Sequence, residues 1–194
     1  MVADDEEVLP IKCVVVGPDR SGKTCAVITF RAGSFPDEYV PINYDDGPGG
    51  VGEYDGKPYR LCVWDVCGGV CGGFIKQFSY FNTSVLLLLF DVTNSKEMLE
   101  TINSYWKAEF SAYCPDVPII LVGSKVDLRC KERILSITVD EGRTMAKKIR
   151  AVKYMEISSL QLRGVTELFD EVVRIGYNYH CSSITRKGRR CRIL

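Results

Sequence analysis

The chain has 194 residues, 46% of them hydrophobic and 26% charged, with 25 basic side chains balanced by 25 acidic ones. This length suits one domain with its own core and a short tail, and the composition is that of a globular protein. Zero net charge argues against a blanket nucleic-acid-binding surface. The charge is divided, however: no acid follows Glu171, while Arg186, Lys187, Arg189, Arg190 and Arg192 crowd the end, leaving 20 basic residues against 25 acids elsewhere.

Residues 1–10 read as an acidic extension, without the basic and apolar blocks of an export signal. The nine cysteines are odd in number and follow no such signal, so they are expected to be reduced structural thiols. Cys67 and Cys71 lack C-x-x-C spacing and His180 lies far along the chain, which argues against zinc.

The first predicted strand, 11–17, runs into Gly17-Pro18-Asp19-Arg20-Ser21-Gly22-Lys23-Thr24, a match to G-x-x-x-x-G-K-[ST]. Cys25 to Arg31 then continue as a predicted helix over 23–31. A loop leaving a buried strand and opening a helix turns backbone N–H groups toward one point, where the helix dipole also favours an anion. Lys23 is then placed for the β- and γ-phosphates, and the Thr24 hydroxyl for Mg²⁺. Glycines 47, 49, 50 and 52 mark a connection, and Asp55-Gly56-Lys57 predicts a hairpin turn joining a strand near 51–54 to one at 59–66. Trp64-Asp65-Val66-Cys67-Gly68 closes that second strand with an acid suited to Mg²⁺ through water and a glycine N–H suited to a terminal phosphate.

The run Val85 to Phe90 is too short to cross a bilayer and predicts a buried strand at 84–91, followed by a helix over 95–112. A strand at 118–123 leads into Ser124-Lys125-Val126-Asp127. Asp127 can accept from both N1–H and the 2-amino group of guanine, a donor pair that adenine lacks, and the Lys125 stem can lie along the base. A helix at 139–149, a strand at 152–157 and a helix at 165–179 complete the pattern. Apolar strands alternating with amphipathic helices predict an α/β fold with a six-stranded, mostly parallel sheet covered on both faces.

With these motifs in order, the chain resembles the small GTPases of the Ras superfamily, and within them the Rho/Rac branch. The likeness extends through Phe35-Pro36-Asp37-Glu38-Tyr39-Val40-Pro41, Tyr113-Cys114-Pro115-Asp116-Val117-Pro118 and Glu156-Ile157-Ser158-Ser159-Leu160. It implies a P-loop G-domain over 11–180 that binds GTP or GDP with Mg²⁺. The implied nucleotide contacts are Gly17 to Cys25, Phe35 at the guanine edge, Asp65 to Gly69, Ser124 to Asp127, and Ser158, Ser159 and Leu160 closing the base pocket. Thr24 and Asp65 are the implied metal residues.

Four departures from the family pattern bear on function. Asp19 stands where a glycine is usual, adding negative charge near the γ-phosphate and filling the space an activator's arginine finger would enter. Gly69 replaces the glutamine that orients the attacking water. Ile42 replaces a threonine that binds Mg²⁺ within the effector-like stretch Tyr39, Val40, Pro41, Ile42, Asn43, Tyr44, Asp45, Asp46 and Gly47; Asn43 offers an amide oxygen only if the loop shifts by one residue. The insert typical of the Rho branch is truncated to 128–136. The second glycine cluster, 68–73, lies beside Phe74, Ile75 and Phe78, which either form a docking face or pack under the sheet edge.

Residues 181–194 are expected to be a basic flexible tail ending Cys191-Arg192-Ile193-Leu194, a C-a-a-X prenylation signal in which Leu favours geranylgeranyl. One lipid chain with a polybasic segment supplies the two signals that stable anchoring needs. The chain is therefore expected to be a Rho-like signalling protein with slow or absent GTP hydrolysis. It would act at the cytoplasmic face of the cell membrane with a cytosolic pool, and would engage effectors and exchange factors or dissociation inhibitors but no nucleic acid. One alternative is an interaction module that bound nucleotide merely stabilises; another is a conventional switch completed by a partner.

Overall fold

The structure, a computed structural model, describes residues 8–37, 50–66, 78–94, 97–129 and 136–190, with side chains described through Ser182. The strands are β1 (Leu9–Val16), β2 (Gly50–Tyr54), β3 (Lys57–Asp65), β4 (Val85–Asp91), β5 (Ile119–Ser124) and β6 (Lys153–Glu156). They form one sheet in the order β2-β3-β1-β4-β5-β6. Only β2 and β3 run antiparallel. Their connection carries positive φ at both Asp55 (53°) and Gly56 (71°), the combination that matches the twist of a two-residue hairpin.

Burial follows from the alternation of side chains along each strand. On one face Ile11, Cys13, Val15, Leu87 and Leu89 pack with Phe169 and Val172. These last two belong to α5 (Val165–Arg190), and α1 (Lys23–Ala32) covers the same side through Ala26 and Val27. On the other face Val14, Val16, Leu86, Leu88 and Phe90 meet Ile102, Trp106, Phe110 and Met145. Both faces of β4 are thereby covered, which is why its sequence is continuously apolar. Each large side chain buried in this way contributes roughly 1.5–3 kcal/mol.

Two helices differ from the sequence expectation. The predicted helix over 95–112 begins as α2 (Glu97–Thr101), widens into a π-turn at Ile102–Trp106, and continues as α3 (Lys107–Tyr113). The buried Ile102, Trp106 and Phe110 recur every four residues. That repeat overshoots an α-helical turn, and one wider turn cancels the drift and keeps all three on the sheet. The last helix, α5, runs past the predicted end at 179 to Arg190. No proline interrupts it, and its continuing turn docks at the start of β4, where the hydroxyl of the preceding Ser84 lies 2.8 Å from His180 Nε2. α4 (Val139–Lys148) starts at Thr138 as its sequence suggests, with Thr138 and Glu141 capping each other's backbone N–H.

The carboxyl ends of β1, β3, β4 and β5 lie along one edge of the sheet, where folds of this type hold their ligands. Gly17, Val66, Asp91 and Ser124 all stand there.

Candidate functional site

The loop after β1 turns sharply. Gly17 has φ 144°, Arg20 62° and Gly22 86°. A Cβ on Gly17 would sit 2.1 Å from the Leu89 carbonyl oxygen, so only glycine fits beside β4. Gly22 caps α1 without any side-chain hydrogen bond, and the first turn of that helix holds no acid. Its N–H groups and the positive end of its dipole are therefore left for an anion. Lys23 is buried, and its ammonium donates to the carbonyls of Gly17 (3.0 Å) and Pro18 (2.9 Å), arching back over the loop. Asp19 and Arg20 are exposed on the rim.

Opposite the loop, β3 delivers Asp65. The Thr24 hydroxyl donates to its Oδ2, while its Oδ1 is buried and without a hydrogen-bond partner among the described residues. Burial raises the Asp65 carboxyl above its ordinary pKa, against the opposing pull of the Thr24 hydroxyl and the Lys23 ammonium. A buried carboxylate oxygen left over beside a hydroxyl is a hard-oxygen donor set suited to Mg²⁺, so the residues present fit that ion. Val66 follows, its N–H bonded to the Val15 carbonyl at 3.0 Å.

The side that the sequence predicts for base recognition is built on β5. The Ser124 hydroxyl is bifurcated between the carbonyls of Ser21 (2.7 Å) and Phe90 (3.0 Å), tying the phosphate loop to this strand. Lys125 adopts a left-handed backbone (φ 60°), opening a 3-10 turn at Val126–Leu128 that carries Asp127. Asp127 Oδ1 accepts from the fully buried Ser158 hydroxyl at 2.6 Å. Ser158 is fixed in turn by a reciprocal backbone pair with Arg163, while Ser159 is half-buried and Leu160 exposed. Arg129 clamps Glu156 through both terminal guanidinium nitrogens, Nη1 and Nη2 (2.8 and 2.6 Å), bracing the end of β6 just before that loop.

The sequence-predicted residues Gly17 to Thr24, Asp65, Val66 and Ser124 to Asp127, together with Ser158, thus converge on one sheet edge. Cys25 is half-buried in the first turn of α1, where burial raises its thiol pKa. Phe35 is half-buried beyond that helix. Cys67, Gly68, Gly69, the stretch Tyr39 to Gly47, Phe74, Ile75 and Cys191 lie outside the described residues, as does most of the shortened insert. Sequence reasoning missed Asp91. This acid ends β4, pairs in register with Ser124, and brings its Oδ2 within 2.8 Å of Lys125 Nζ. The available signal was an acid closing an otherwise uninterrupted apolar strand.

The model of the Ras family matches residues 12–177. The chain is similar to the Rho-related GTP-binding protein RhoB of Homo sapiens, 35% identical over 192 residues that span 94% of this chain and 97% of that protein. RhoB of Mus musculus and of Rattus norvegicus match to the same extent. The loop capped by Gly22, the acid facing Thr24 and the Ser124–Asp127 turn with its Ser158 contact all fall within the residues that the family model matches. The chain therefore belongs to the Ras family and is a Rho-like small GTPase.

Proposed function

We propose that this protein holds GTP–Mg²⁺ in the site at the carboxyl edge of the sheet, hydrolyses it slowly or not at all, and signals from a membrane by recruiting partners. The observation that carries the nucleotide reading is the tie between the two halves of the site. Ser124 donates to the phosphate-loop carbonyl of Ser21, while Lys125 and Asp127 follow it directly on the turn after β5, which supports a base site beside the phosphate site. In this reading Lys23 and the first turn of α1 hold phosphate, Asp127 reads guanine with Ser158 orienting its carboxylate, and Thr24 and Asp65 hold Mg²⁺. The metal supplies charge neutralisation on the phosphate oxygens.

The hydrolytic defect rests on side-chain chemistry. Gly69 has no group with which to place a water. The exposed Asp19 puts a carboxylate at the rim through which an arginine finger would enter. Unaided turnover in such proteins is about 10⁻⁴ per second, and an activator adds about 10⁵-fold, so a blocked finger matters more than any change in the unaided rate. Ile42 cannot coordinate a cation, which weakens the link between the terminal phosphate and the first effector-like loop.

The basic end of the chain supports membrane attachment. Among the described residues no helix is long and apolar enough to cross a membrane. A prenyl group on Cys191 next to Arg186, Lys187, Arg189 and Arg190 would anchor the protein peripherally to an anionic leaflet. The test of the nucleotide assignment is to release and identify the nucleotide carried by purified protein, then repeat with Asp127→Asn. Co-purified GTP or GDP is expected. The variant should bind guanine nucleotide about 10- to 100-fold more weakly, the worth of one hydrogen-bonded charge. Unchanged affinity would remove Asp127 from the base site.

A further inference from the structure

Asp91 is engaged on both carboxylate oxygens. Oδ1 accepts from the Thr93 N–H (2.8 Å) and the Thr93 hydroxyl (2.7 Å), which fix the orientation of the carboxylate. Oδ2 faces the Lys125 ammonium at 2.8 Å. The acid side chain is only 13% exposed and that of the lysine 35%, so water screens the pair incompletely. Lys125 is also held at its other end, where its backbone takes a conformation that side-chain-bearing residues rarely adopt. Between these two fixed points the stem passes close to the phosphate loop, its Cε lying 4.0 Å from where a Cβ on Gly22 would stand.

We propose that Asp91 is a positioning residue for guanine recognition, holding the Lys125 ammonium so that the lysine stem is already laid out as one wall of the base site. This rests on the nucleotide reading above and deepens it. A free lysine stem is flexible, and ordering it would oppose binding; a stem tethered at both ends loses little on binding. Asp91 thus supports affinity without touching the nucleotide. Selection of guanine by its 2-amino group stays with Asp127.

The test is dissociation of GDP and of inosine diphosphate, which lacks the 2-amino group, from the full-length protein loaded with each nucleotide and chased. Asp91→Asn keeps the acceptor for Thr93 and removes the charge. It should release both nucleotides roughly five- to tenfold faster, the loss expected for a partly shielded ion pair. The ratio of the two rates should stay unchanged, because Asp127 is undisturbed. Asp91→Glu should restore most of the retention, and adding Asp91→Asn to Lys125→Met should accelerate release no further than Lys125→Met alone. Wild-type release from Asp91→Asn, multiplying effects in the double variant, or a lost preference for GDP over inosine diphosphate would each overturn the proposal and leave guanine binding standing. A wild-type protein that retains neither nucleotide would overturn both.

Discussion

Single residues at this site are constrained more by backbone than by side-chain chemistry. At Gly17, positive φ and the approach of the Leu89 carbonyl oxygen coincide. Gly17→Ala would combine a backbone strain of about 1–3 kcal/mol with a clash against strand backbone that cannot move away. The expected outcome is a lower midpoint of thermal unfolding together with loss of bound nucleotide. The glycine motif made this position legible in the sequence. Lys125 was legible only in part: its neighbours predicted the base site, but nothing in Ser124-Lys125-Val126-Asp127 reveals a left-handed residue or the acid that meets its ammonium. That partner, Asp91, is 34 residues away, and only strand register joins them. The buried Oδ1 of Asp65, without a partner among the described residues, was equally hidden, since burial of one oxygen depends on how β3 meets the loop after β1.

At the scale of elements, β1, β4 and β5 were legible because strands buried on both faces are nearly continuously apolar, and the β2–β3 hairpin because an Asp-Gly turn has few other uses. The π-turn at Ile102–Trp106 was not, because it answers to packing on the sheet rather than to local propensity. Nor was the length of α5, since its continuation depends on contact with β1 and β4, including the bond between His180 and Ser84. The docking of α5 on β6 has a testable electrostatic component. Glu171, largely buried, takes two hydrogen bonds from Arg174 (2.9 and 2.6 Å) and an ion pair from Lys153 on β6 (3.0 Å). The Arg174 bonds, with Lys153 adding to them against the cost of burial, lower the Glu171 carboxyl from 4.5 to about 2. A carboxylate with a depressed folded-state value stabilises fully above its unfolded value, and that stabilisation fades as pH falls from about 4.5 toward 2. Urea midpoints measured across that window should fall with acid more steeply in the wild type than in Glu171→Gln. Equal slopes would show that the cluster contributes nothing to acid stability.

Across the whole molecule, functions are segregated. The apolar sheet and its helices build one edge, the residues proposed to hold nucleotide lie along it, and the basic cluster sits at the far end of α5 and the residues beyond it. The proposed nucleotide binding draws on backbone geometry and on residues positioned by β1, β3, β4 and β5. On the proposed reading, hydrolysis depends on side chains at positions where this sequence carries Gly69 and Ile42. The proposed reading is thus of a chain that keeps the nucleotide cradle and lacks the hydrolytic side chains. The measurement that tests this most directly is single-turnover decay of GTP loaded with Mg²⁺ on the full-length protein, with and without an arginine-finger activator. The account predicts decay at or below about 10⁻⁴ per second that the activator leaves unchanged. Decay accelerated by orders of magnitude on adding the activator would contradict it.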